Sequence, residues 1–190
     1  DVNDVKKKKS FLLTMGVIVL SVACSSFAQA EIGAANVLDK AYGALNHKGN
    51  CWVANFEEQR YCMVVDRADW VETAKGPRLY VLAVGEATDN DGMLNAGHVT
   101  AGLIGAFVVE EHQGEIEWIA SNAALPVGSF GLPPSGWHLL KLGANDFWGW
   151  QNIAGFTGQG YSYSQFSILA PEGARIVEIG GFAAGYSDAG

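Results

Sequence analysis

Two hydrophobic patterns divide the chain. Between residues 31 and 47, Ile32, Ala35, Leu38, Ala41, Tyr42 and Leu45 recur at steps of three and four. That spacing draws one apolar stripe along a helix. Lys48-Gly49-Asn50 follows with turn residues and closes it. Beyond residue 51 the apolar positions come in short runs separated by Gly and Pro, the pattern of strands. "CWVANFEEQRYC" (51–62) predicts two short strands around a Glu57-Glu58 turn. "GLIGAFVVEE" (102–111) and "EIEWIAS" (115–121) flank a His112-Gln113-Gly114 turn. "YSYSQFSILA" (161–170) and "ARIVEIGGF" (174–182) flank Pro171-Glu172-Gly173. "RLYVLAVGEA" (78–87) and "GWHLLKLG" (136–143) add further strands. "DRADWVETAKGP" (66–77) predicts one short helical turn capped by Asp66.

Many short strands with Gly and Pro punctuation predict a mainly β fold, an antiparallel β-sandwich or barrel-like domain with one N-terminal helix. No linker or charge block divides residues 31–190, which read as a single domain. The last strand has no clear stop before Gly190, leaving room for a further strand.

The first thirty residues have a different character. Lys6–Lys9 form a basic run, Phe11–Ala23 is almost wholly apolar, and Ala28-Gln29-Ala30 follows. These are the three parts of a secretory signal peptide spanning 1–30, with residues 1–5 extraneous to it. The apolar run is shorter than the roughly 20 residues that cross a bilayer. A periplasmic or secreted protein is expected, with no transmembrane helix after cleavage. A lipid anchor through Cys24 is the alternative, although Ser21 occupies the position where lipoprotein signals carry a large aliphatic residue.

The formal charge is −8 over the whole chain. The leader holds four Lys and two Asp, so residues 31–190 carry −10. That balance argues against a nucleic-acid partner, because phosphate contact needs clustered Lys and Arg. Two cysteines remain after the leader, Cys51 and Cys62, and in an exported chain such a close pair predicts a disulfide.

Candidate chemistry is sparse. In "DFWGWQNIAGFTGQGYSY" (146–163), Trp148, Trp150 and Asn152 fall on one face of a strand. They are a candidate platform for a glycan. The competing reading puts the indoles in a core and makes "GFTGQG" a turn. Glu86, Asp89, Asp91 and Asn95 in "EATDNDGMLN" are candidate Ca²⁺ ligands, although Asp-Gly is equally a hairpin turn signal. Otherwise no cofactor is indicated. His47, His98, His112 and His138 are widely spaced and form no metal motif. Ser129 lacks the nucleophile-elbow setting, and Glu110, Glu111, Glu115 and Glu117 surround one hairpin.

With no assembled catalytic signature, the expectation is a non-enzymatic exported binding or envelope-associated module, its partner a glycan or an envelope protein. A small periplasmic hydrolase acting on polysaccharide or ester, using carboxylates or Ser129 with His98 or His138, is the first alternative. The second is a secreted enzyme inhibitor presenting "ALPVGSFGLPPSG" (124–136).

Overall fold

The computed structural model describes residues 32–158 and 161–188, except the side chains of 154–163, 182, 184 and 186–188. Residues 1–31, with Cys24, lie outside the described residues. One helix, α1 (Ala34–Tyr42), precedes nine strands: β1 (Trp52–Phe56), β2 (Gln59–Thr73), β3 (Gly76–Thr88), β4 (Gly102–His112), β5 (Glu115–Val127), β6 (His138–Lys141), β7 (Trp148–Gly158), β8 (Tyr161–Glu172) and β9 (Arg175–Asp188). They form one curled, half-barrel sheet in the order β1-β2-β3-β4-β5-β9-β8-β7-β6. Two antiparallel meanders, β1–β5 and β6–β9, meet at a single parallel pairing, Ser121 with Arg175. The expected β-rich, barrel-like class with one N-terminal helix is what forms. Among the described residues no helix is long and apolar enough to cross a membrane.

The strand sequences explain the layering. β3 and β4 lack clean alternation because both their faces are covered. Leu79, Val81 and Ala83 of β3, with Leu103, Phe107 and Val109 of β4, pack against Val37 and Leu38 of α1. Tyr80 and Leu82, with Ile104, Ala106 and Val108, point the other way. They meet Trp137, Trp150, Leu169 and Ile176 of the second meander. The sheet thus curls so that β6–β9 lies over the face of β3 and β4 opposite the helix.

Two close approaches depend on glycine. A Cβ at Gly105 would overlap the Tyr42 hydroxyl, which crosses β4 there and donates to Ala123 O at 2.9 Å. A Cβ at Gly102 would overlap the Pro133 backbone where the β5–β6 connection crosses the start of β4.

Three local expectations change. The helix ends at Tyr42 rather than near residue 47, because Gly43 takes φ +88°. Residues 66–73 belong to β2 rather than to a helical turn, and Asp66 caps nothing. The cause is tertiary: β2 pairs with β3 along almost its whole length, which outweighs weak local helix propensity. In "GFTGQG", residues 155–158 continue β7, and 159–160 lie outside the described residues.

The first hairpin forms as expected. Glu57 and Glu58 both take positive φ, +46° and +65°, as a two-residue hairpin turn requires. Cys51 and Cys62 are bonded. They sit diagonally, since Cys62 faces Val53 in the ladder.

Candidate functional site

At the end of the sheet formed by the β2–β3 and β4–β5 turns, an open groove of about 530 Å³ is lined by Trp70, Glu72, Lys75, Pro77, Glu110, Glu111 and His112, among others. Register builds it. Trp70 faces Leu79, Leu79 faces Val109, and Val109 faces Trp118, so one row crosses four strands on the helix side. Leu79 and Val109 are buried in the middle of that row. At one end Lys40 of α1 lies over the Trp118 ring, its Nζ 5.8 Å from the centroid, and donates to Ile116 O. At the other end Trp70 stays 40 % exposed. Glu72 opposite Pro77, and Glu111 opposite Ile116, sit two residues further along the strands, on the same face as the Trp70 row. The Glu110 carboxylate is committed to Arg78 at 2.7 Å.

The site is therefore an exposed indole on the same face as two carboxylates, Glu72 and Glu111, with Lys75 and His112 at the turns. An indole offers a flat apolar face, and the carboxylates accept hydrogen bonds. Sequence reading singled out Glu110, Glu111 and His112 but missed Trp70 and Glu72, because it made 66–77 a helical turn. The available signal was short, Arg67 and Asp69 alternating with Ala68 and Trp70, a period of two that Val71 and Glu72 then break.

A second polar cluster sits at a bulge in β2. Val65 pairs with Ala83 and Arg67 with Leu82, which leaves Asp66 as the extra residue. Arg67 grips Asp69 with two bonds, 2.7 and 2.8 Å, and also donates to Trp137 O at 2.6 Å. It thereby pins the approach to β6 against β2. Burial raises the Asp66 carboxyl above its ordinary range, against the opposing pull of Arg67 and His138. A carboxyl so raised favours the folded state while protonated, and that contribution is lost as pH rises through the raised value. Asp66→Asn, which cannot ionise, should therefore gain stability relative to the parent on going from strong acid to neutral pH. Thermal melts at the two pH values measure it, and a relative loss over that interval would reverse the sign.

The candidate glycan-platform residues turn toward the interior, as the core reading of this segment expects. Trp150 is 0 % and Asn152 1 % exposed, and Trp148 is half-buried. Trp150 meets Tyr80 edge-on at 5.6 Å between centroids. Asn152 Nδ2 donates to Ser135 O. Trp148 Nε1, Trp150 Nε1 and Asn152 Oδ1 have no partner among the described residues.

In the acidic loop, Asp89 Oδ1 accepts from the backbone N–H groups of Asp91 and Met93, each at 2.9 Å. That carboxylate organises a turn. Among the described residues no three His, Cys, Asp or Glu side chains gather as a metal group would require.

Ser129 lies in the β5–β6 connection, bridged to Leu132, and the His98 ring packs edge-on against Phe130 at 4.7 Å. Among the described residues no hydrogen bond joins Ser129 to His98 or His138. Comparison with models of known families, with characterised proteins and with solved structures finds no match.

Proposed function

We propose that this chain is an exported binding module that holds a glycan along the Trp70 groove without cleaving it. The observation that carries the reading is Trp70, a large aromatic left 40 % exposed in an open groove. A pyranose ring stacks its C–H face on such an indole, and its hydroxyls donate to Glu72 and Glu111 on the rim. The basic-apolar-small leader pattern supports export, and the Cys51–Cys62 bond fits an oxidising compartment. Retention rather than hydrolysis is favoured because Glu110 is tied to Arg78 and is not poised as an acid or base across a cleft.

The test is calorimetric titration with a panel of neutral and amino-sugar tetrasaccharides. Trp70→Ala should weaken binding by about tenfold or more, a loss of about 1.4 kcal/mol, and leave the melting curve nearly unchanged. If no member of the panel binds, or if Trp70→Ala binds as the parent does, the reading fails. Release of reducing ends would make the chain a hydrolase instead.

One observation favours a second reading, a protein-docking inhibitor. Phe130, exposed, holds φ +56° between Gly128 and Gly131, which also have positive φ. Such strain in a bulky residue is uncommon away from functional segments. Exposed Met93, Leu94 and Val99 lie on the β3–β4 connection, to which Gly131 is bonded through Thr100 O at 2.7 Å. Inhibition of a foreign enzyme that Phe130→Ala abolishes and Trp70→Ala spares would select this reading.

A further inference from the structure

We propose that the outer edge of β7, from Asn152 to Gly158, pairs with the same edge of a second copy of this chain. β6 is the last strand of the sheet, yet it covers only Trp148–Gln151 of β7. β7 continues to Gly158, bonded there to β8 alone. Among the described residues no other backbone group reaches residues 152–158. Among the described residues nothing extends the row beyond β6, because the chain before it turns away. Ser135 O takes the bond from Asn152 Nδ2, and Trp137 enters the core.

The other edges are guarded or irregular: β9, open among the described residues beyond Arg175 on its β5 side, carries Glu178 and shifts register twice against β8. Lys40 Nζ and the Tyr42 hydroxyl cap the Ile116 and Ala123 carbonyls of β5. β1 is five residues long, and β6 is four residues long with a lysine at its end. The free stretch of β7 has none of these devices. It is regular against β8, with no register shift. No charge and no proline occur from Phe147 to Ala170. An edge of that kind is a template for another strand.

A second copy fits it best. Two-fold symmetry sets the two edges antiparallel and of equal length, so each outward N–H and C=O meets its counterpart. The incoming strand continues the line of β6 in the same antiparallel sense. The chain carries −8 overall, but the strip itself is neutral, so no like charges face one another at the contact.

Sedimentation velocity over a dilution series, with hydrogen exchange read at the 152–158 amides, tests this. The parent should be a dimer at high concentration, with those amides protected, and should lose both on dilution. Ile153 is 54 % exposed, so Ile153→Lys leaves the monomer folded, as a thermal melt verifies. It should raise the dissociation constant by about tenfold, since symmetry places one new charge on each of the two paired strands. Ile179→Lys, also at an exposed position but on β9, should leave it unchanged. A monomer at every concentration overturns the proposal. So does a dimer in which the 152–158 amides exchange freely. Protection of a monomer's edge by an added uncharged strand peptide would assign the edge to a foreign partner and equally overturn self-pairing.

Discussion

Trp150→Ala is expected to cost about 3–5 kcal/mol, the range for removing a buried aromatic, measured by urea unfolding. Trp150 is fully buried at the centre of the contact between the two meanders. It packs edge-on against Tyr80 and pairs across the ladder with Leu139 and Leu169. A domain of this size has a total stability of about 5–15 kcal/mol, so the variant sits near the limit of folding. Trp150→Phe should cost much less. Nε1 has no partner among the described residues, and exchanging indole for phenyl removes a buried donor left unsatisfied. Equal losses for Ala and Phe would contradict the place given to the ring in the core.

The second large effect belongs to the disulfide. Removing it with Cys51→Ala and Cys62→Ala together is expected to lower stability by about 3 kcal/mol in the chain-entropy model. The bond closes a short loop across a separation of 11 residues and anchors β1, the first strand of the sheet. Beside its ladder with β2, β1 is tied to α1 by Trp52 Nε1, which donates to Asp39 Oδ1 at 2.7 Å. Trp70 lies eight residues further along β2 from Cys62, roughly 26 Å at strand spacing. The proposed glycan binding should therefore survive in the double variant below its melting temperature. A double variant as stable as the parent would contradict the role given to the bond.

Much of the fold was legible because its signals are local. The Glu57-Glu58 and Gln113-Gly114 turns sit between apolar runs, and their positive φ angles follow from two-residue turn geometry. The uninterrupted apolar runs in β3 and β4 mark burial on both faces. What stayed hidden depends on long-range pairing. Nothing near residue 175 announces that Arg175 of β9 pairs with Ser121, because a parallel contact between distant strands leaves no local trace. The same holds for the site. Trp148, Trp150 and Asn152 were correctly placed on one face, but a period of two does not say which face meets the core. Trp70 was passed over because Asp66 and Ala68 mimic a helix start, and only pairing with β3 makes the segment a strand. The bulge at Asp66 comes from the same pairing and has no signature in composition.

The central claim is that of the chain's six tryptophans, Trp70 meets the ligand while Trp150 holds the core. Indole ¹H–¹⁵N spectra during titration with the tetrasaccharide panel test it most directly. The account predicts that the Trp70 resonance moves with a binding tetrasaccharide while that of Trp150 stays fixed. A Trp70 resonance unmoved by every sugar, or a ligand that shifts Trp148 and Trp150 instead, would contradict it.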